Sequence, residues 1–416
     1  LKNSLFIGSA TNTGHHLTES VGLPDCLKAV GAWWSGHGIR HPFQPARELV
    51  DGKEQITCWG VACGFKNTGL GTGANDSSGI ILKLLPAGRL QIKSGAAEVG
   101  QGMVTSLQLI AAEVLGMNPE NINVYIMDTA LTPDGGPTTA SRQTYVTGNA
   151  VRQAAQRMRQ RVIDLLVGRF GWDPALIVLN EDGAHVGANF TPWQAIHDLL
   201  KESPETLEVR AVYHAPETFA LNQGERIHVA YGFGAQAVKI AIDPASGQVK
   251  VLKVIAANDA GRVINPLGFQ SQVEGGVVMG VGHGLMEDFK VEKGVILSDR
   301  IARYPVPRMQ DSPEVVSIIV ESQTAEGPFG AKGIGELVCV PTPPAITNAL
   351  YHAIGIPLLH FYGYESTFAR FTTQVNEYGG WLMLAFAFLP IPYKVATIAA
   401  GTTGMSIPVL VLASIA

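Results

Sequence analysis

Apolar positions along this chain follow two rhythms, and the switch between them marks the elements. In GIILKLLPAGRLQIKSG, two apolar runs, Ile80 to Leu85 and Leu90 to Ile92, flank Pro86, Ala87 and Gly88. Proline presets a turn and glycine supplies positive φ, so this stretch predicts a β-hairpin. In QAVKIAIDPASGQVKVLKVIAAND, Val238, Ile240 and Ile242 alternate with less apolar neighbours. Asp243 to Gly247 make the turn there, and Val249, Val251 and Val254 follow. Each hairpin leads into a glycine-rich segment, after which the spacing becomes helical. Met103, Leu107, Ile110 and Val114 share one face of MVTSLQLIAAEVLG, and QVEGGVVMGVGHGLMEDF reads as a tightly packed helix of small residues. This hairpin–loop–helix plan, used twice, predicts an α+β fold: two related mixed α/β lobes with a cleft between them. The expected divisions are residues 1–205, 206–357 and 358–416.

The pattern changes near Gly379. GGWLMLAFAFLPIPYKVATIAAGTTGMSIPVLVLASIA carries one charge, Lys394. Such a run predicts a hydrophobic helical tail in contact with a membrane through residues 379–416, interrupted at Pro390, Pro392 and Gly401. A very hydrophobic core element is the alternative.

Composition narrows the class. The chain has 416 residues, 46% hydrophobic and 16% charged, with a formal charge of −5. No basic footprint exists, which argues against nucleic acid as a partner. Cys26, Cys58, Cys63 and Cys339 are scattered without CxxC spacing and read as reduced structural thiols in a cytoplasmic compartment. They argue against an iron–sulfur or zinc site built from this chain. His37 and His41 stand four apart, but Gly38 and Pro42 oppose a helix there. His15 and His16 read as loop. Opening on Leu1, the chain reads as a fragment whose start is missing.

Four glycine-rich or hydroxyl-rich stretches could carry chemistry. In GAAEVGQGM the amides at the helix start could bind an anion, with Gly100 and Gly102 allowing close approach and Gln101 offering donors and acceptors. A plain strand–helix turn is the competing reading. In DTALTPDGGPTTASRQTYVTGNAV, Thr138, Thr139, Ser141, Gln143 and Thr144 crowd together, as a phosphate or polar heterocycle requires. A Ser/Thr-rich loop capping the next helix reads equally well. In NDAGRVINP, Asp259 and Arg262 suggest an ion pair that fixes the turn, and Gln272 beyond it is a ligand candidate at a helix start. GPFGAKGIGE places Glu336 after closely spaced glycines, as a general base beside a pocket or as a helix-start carboxylate.

The ordered motifs Gly-Gln-Gly, Pro-Thr-Thr-Ala-Ser, Gly-Arg-Val-Ile-Asn-Pro and Gly-Ala-Lys-Gly-Ile-Gly-Glu resemble the large subunit of the molybdenum hydroxylases: xanthine dehydrogenases, aldehyde oxidoreductases and aldehyde oxidases. The likeness covers residues 1 to about 357. It implies a molybdenum ion held by the dithiolene of a molybdopterin, in some members as the cytosine dinucleotide, with no protein ligand to the metal. It places Val99, Gly100 and Gln101 beside the metal and pterin. Thr138, Ala140, Ser141, Gln143 and Thr144 would hold pterin and phosphate, and Gln272 the pterin. Ile334 and Gly335 would line the cofactor, Gly333 and Gly335 letting the loop approach the metal. Glu336 would be the general base toward a Mo–OH group, its basicity tuned by burial, with hydride passing to a Mo=S sulfur. Water would supply the oxygen to an aldehyde, purine or N-heterocycle. FAD and 2Fe-2S clusters would sit on partner subunits. The family's earlier half, with its glycine-rich loop and substrate-orienting arginine, is not found here, so the isolated chain is expected to be inactive. From about Phe361 the chain resembles the DedA-like (SNARE-associated Golgi protein) membrane family, through Tyr378-Gly379, Phe388 to Lys394 and Ala399 to Gly401. The join near Pro357 therefore reads as a fusion of unrelated fragments. A membrane-associated binding or assembly protein, or a fusion without activity, is the alternative function.

Overall fold

The computed structural model describes residues 4–202, 207–221 and 223–355. The hydrophobic stretch 379–416 and the expected boundary at 205/206 lie outside them. Among the described residues no helix is long and apolar enough to cross a membrane.

The chain opens with α1 (Leu23–Gly36), β1 (Ala46–Val50), β2 (Lys53–Thr68), β3 (Ser77–Leu85) and β4 (Arg89–Ser94). Then come α2 (Met103–Leu115), β5 (Ile122–Ile126), α3 (Gln143–Phe170), β6 (Val178–Leu179), β7 (Gly183–Val186), β8 (Asn189–Pro192) and α4 (Trp193–Leu200). The remainder is β9 (Glu208–His214), β10 (Ala230–Ile242), β11 (Val249–Asp259), α5 (Pro266–Leu285), β12 (Val291–Glu292), β13 (Val295–Ile296), β14 (Glu314–Val320) and α6 (Thr342–Ile354).

Both predicted hairpins form. β3 and β4 pair antiparallel from Ile80↔Ser94 to Leu85↔Arg89, and Ala87 turns the chain at φ 60. β10 and β11 pair from Phe233↔Asp259 to Ile242↔Val249. Each hairpin sits in a separate sheet of a mixed α/β structure: β5-β4-β3-β9 and β1-β2-β10-β11-β14. Residues before and after 205 contribute strands to both sheets, so the layers interleave along the chain.

Burial follows the strand alternation. Ile80, Leu82, Leu84, Leu90 and Ile92 form one core with Met103, Leu107 and Ile110 of α2 and Val151, Ala154, Met158 and Val162 of α3. Val238, Ile240, Val254 and Ala256 pack against Val273 and Val277 of α5 and Ala345, Ile346 and Ala349 of α6. The neighbours of opposite parity, Ala235, Ala237, Ile255 and Ala257, meet Cys26 and Val30 of α1. The larger sheet is thus covered on both faces, which explains why β11 reads as a continuous apolar run from Val254 to Ala257 rather than apolar against polar. α6 crosses β2 so closely that a Cβ on Gly60 would stand 2.2 Å from Ala345 O.

His15, read from sequence as a loop residue, is 8% exposed. Its Nδ1 accepts the Ile227 N–H at 2.9 Å and the His228 N–H at 3.3 Å, tying the N-terminal segment to the entry of β10. Burial holds the imidazoles of His15 and His228 down at about 4. In the unfolded chain both titrate near 6.5, so between these values the unfolded state binds more protons. Their contribution to stability is complete above 6.5 and is lost as pH falls toward 4. Urea midpoints of the full chain should therefore fall as pH drops through that window. His15→Gln, which keeps an acceptor but does not titrate, should shallow the slope. An unchanged slope refutes the assignment.

Candidate functional site

Four connections converge on one cleft of about 420 Å³: the β4–α2 loop, the loop entering α3, the β11–α5 loop and the 327–336 loop. Val99, Gln101, Thr138, Ala140, Ser141, Gln143, Thr144, Gln272, Ile334, Gly335 and Glu336 all line it, and Gly100 does not.

Three amides at the start of α2 are taken by one side chain. Glu98 Oε1 accepts from the Gly100 and Gly102 N–H groups and Oε2 from the Val104 N–H, each at 3.0 Å. The expected anion site is filled by the chain's own carboxylate, a helix start being favourable for negative charge. Gly100 and Gly102 serve the turn rather than close approach. Their φ values are +99 and +77, and a Cβ on either would meet nothing within 4 Å. Gln101 braces this loop, accepting from Val99 N at 2.6 Å and donating to Ala97 O at 3.0 Å.

The hydroxyl-rich run is held from below. Ala140 and Ser141 are both left-handed, at φ 49 and 50, a conformation costly for residues with a Cβ. The surroundings enforce it. Gly69 N–H donates to Ala140 O at 3.0 Å. Arg142, fully buried, donates through Nε to Asp76 Oδ1 at 2.7 Å, through Nη1 to Gly135 O and Pro137 O at 2.9 Å, and through Nη2 to Ser77 O at 2.7 Å. All three guanidinium nitrogens are hydrogen-bonded, and the Asp76 carboxylate balances the charge, which is how a buried arginine becomes tolerable. Nothing in the sequence marks Arg142 beyond its place after the Thr/Ser run. α3 begins at Gln143, so Gln143 and Thr144 occupy its first turn rather than a loop. Gln143 Nε2 donates to Thr138 Oγ1 at 2.9 Å.

The expected Asp259–Arg262 pair does not form. Asp259 instead meets Lys332, Nζ to Oδ2 at 2.5 Å, with both side chains fully buried. Asp259 Oδ1 also accepts from Gly261 N at 2.9 Å and Ser322 N at 3.0 Å, and Lys332 Nζ donates to Ser20 O at 3.1 Å. Burial pushes the Asp259 carboxyl up and the Lys332 ammonium down, and each partner's charge opposes the other's shift. Arg262 is left facing the cleft. Gln272 lies beyond the first turn of α5, which starts at Pro266 under an Asn265 cap accepting from Gly268 N at 3.0 Å.

Gly333 needs to be glycine because a Cβ there would stand 1.9 Å from Ser141 O. Gly335 has ordinary space, its nearest neighbour being Ser141 Oγ at 3.7 Å. The glycine at 333 thus lets the loop approach the Ser141 turn. At its end, Glu336 Oε2 accepts from Ser141 Oγ at 2.9 Å and lies 3.2 Å from Lys66 Nζ. Glu336 N–H donates back to Ser141 Oγ at 3.1 Å. The expected burial of Glu336 is not met: its side chain is 46% exposed in this chain. His37 donates its Nδ1–H to Trp33 O at 2.8 Å and stacks on Trp33. Among the described residues no three His, Cys, Asp or Glu cluster as a metal site.

Residues 42–313 match the molybdopterin cofactor-binding domain family. The chain belongs to this family. Among its family relatives, it is 32% identical over 297 residues to the "6-hydroxypseudooxynicotine dehydrogenase complex subunit gamma" of Paenarthrobacter nicotinovorans, covering 71% of this chain and 37% of that one. It is 28% identical over 371 residues to the "Xanthine dehydrogenase molybdenum-binding subunit" of Escherichia coli O157:H7, covering 86% and 47%. The aldehyde oxidoreductase structure from Desulfovibrio desulfuricans ATCC 27774 superposes with a TM-score of 0.69 at 26% identity, over 86% of this chain and 36% of that one. The chain therefore spans less than half the length of these relatives.

The donor set suits a molybdopterin. The cleft presents the Gln272 amide, the Thr139 and Thr144 hydroxyls and the Arg262 guanidinium, none hydrogen-bonded through its side chain among the described residues. A polar heterocycle carrying a phosphate asks for amide, hydroxyl and cationic donors of this kind.

Proposed function

We propose that this chain forms the cofactor-binding part of a molybdenum hydroxylase large subunit, one that oxidises an aldehyde, purine or N-heterocycle at an electron-poor carbon with oxygen from water. The observation that carries the reading is the convergence of separate turns on one cleft, with a carboxylate held at its edge. Bound there, the molybdopterin supplies a two-electron redox centre. Gln272, Thr139 and Thr144 would hydrogen-bond its heterocycle and phosphate, and Arg262 would neutralise phosphate charge, including that of a cytosine dinucleotide form. Gln101, Val99 and Ile334 line the cleft and would border the bound group, while Gly100 shapes the loop that carries Val99 and Gln101. Thr138, Ala140, Ser141 and Gln143 keep the turn in shape, and Gly335 lines the cleft beside Glu336.

Glu336 is the general base. Its Oε2 is occupied by Ser141 and Lys66, so Oε1 accepts the proton of the attacking oxygen. Iron–sulfur and FAD groups on partner subunits would carry the electrons away. The relatives' names, "molybdenum-binding subunit" and "complex subunit gamma", support an assembly of several chains.

The test is composition. The full chain, purified with its partner subunits, should carry molybdenum by mass spectrometry and an oxidised pterin by fluorescence. A preparation with full hydroxylase activity and no molybdenum overturns the reading.

A further inference from the structure

The carboxylate at the cleft edge has a second holder besides Ser141. β2 ends in Lys66, Asn67 and Thr68. Lys66 Nζ lies 3.2 Å from Glu336 Oε2 and donates to Asn67 Oδ1 at 2.8 Å. Asn67 Nδ2 donates to Gly69 O at 2.9 Å, and Gly69 N–H donates to Ala140 O at 3.0 Å. Ala140 is followed by Ser141, whose Oγ donates to the same Oε2 at 2.9 Å. The ring closes there. It stitches the end of β2, the left-handed turn and the glycine loop, and Gly333 N–H adds a bond to Thr68 Oγ1 at 3.2 Å.

The geometry points to Lys66, steadied by Asn67, as a positioning residue for Glu336 that fixes Oε2 from a second side and leaves Oε1 to take the proton. This inference rests on the proposed function. A half-exposed glutamate held by one hydroxyl can still swing about its side-chain torsions. A second donor from a strand end fixes the plane of the carboxylate as well as its place. The other charged or titratable groups facing Glu336 do not share this task. Lys332 is committed to Asp259, and Arg262 lines the cleft without an ion pair to Glu336. The Cys339 thiol donates to the Glu336 carbonyl oxygen at 3.3 Å, not to the carboxylate. An exposed ion pair of no consequence is the competing reading, since surface pairs contribute little to stability. For that same reason the Lys66 variants should fold.

The experiment uses the full chain in its assembled complex, with Lys66→Met, Lys66→Arg and Glu336→Gln. Lys66→Met should lower kcat about 10- to 100-fold, the scale of a misplacement near 1 Å, with KM and molybdenum content unchanged. Lys66→Arg should recover most of the loss. Independently of turnover, a crystal structure of Lys66→Met should show the Glu336 carboxylate displaced from Ser141 Oγ. If Glu336→Gln is disabled while Lys66→Met keeps wild-type kcat and an undisplaced carboxylate, the positioning role is overturned and the proposed function stands. If Glu336→Gln turns over fully, the proposed function falls, and this inference with it.

Discussion

Glu336→Gln in the assembled enzyme should lower kcat by about 10²- to 10⁴-fold, the range for removing a positioned general base. Glutamine matches glutamate in shape and still offers an oxygen to Ser141 Oγ, so the loop should stay in place. What it lacks is an oxygen basic enough to take a proton. The ion pair to Lys66 is lost too, but both side chains are partly exposed, at 27% and 46%. Such a pair is worth about 0–1 kcal/mol, so the melting temperature should scarcely move. The loss should therefore fall on kcat and kcat/KM equally, because an interaction made only in the transition state has been removed. Steady-state kinetics normalised to molybdenum content checks this. A variant retaining its turnover per molybdenum shows that the proton goes elsewhere.

Local signals in the sequence were readable, and long-range ones were not. Both hairpins follow from turns that Pro86 to Gly88 and Asp243 to Gly247 define within a few residues. The helical face of Met103, Leu107 and Ile110 needs only its own spacing to be seen. Pairing of β2 with β10 is different, because nothing near Lys53–Thr68 names its partner. The same limit governs the site. The motifs named residues that line the cleft, Gly100 excepted, because each motif is a short run next to an element's end. They did not tell how the cleft is held. Arg142 finds Asp76, Lys332 finds Asp259 and Lys66 finds Glu336 across folds of the chain that spacing does not reveal. Asp259 shows the cost of reading locally. Arg262 is near it in sequence and has the right charge, but Asp259 turns into the interior, where Lys332 arrives from the glycine loop. Glu98 makes the same point at shorter range: the helix start does attract an anion, and the chain supplies its own.

Lys332→Met should destabilise the full chain by about 3–5 kcal/mol, because it strands a fully buried carboxylate without its counter-charge. Asp259→Asn should cost a similar amount, leaving the ammonium with Ser20 O and the Phe233 ring as its company. The double variant should cost less than the sum, since no isolated charge remains in the interior. The difference measures the coupling between the two groups. Urea unfolding of the four forms reads all these quantities. Strict additivity would falsify the pair as the loop's anchor. The consequence reaches the cleft because Lys332 also donates its backbone N–H to Ala260 O at 2.8 Å, and Gly333 and Glu336 follow it closely in the same loop. The pair thus fixes one end of the segment whose other end presents the carboxylate. In the folded double variant, with its interior neutral, kcat should still fall, because the loop has lost its charged anchor while Glu336, Ser141 and Lys66 are intact.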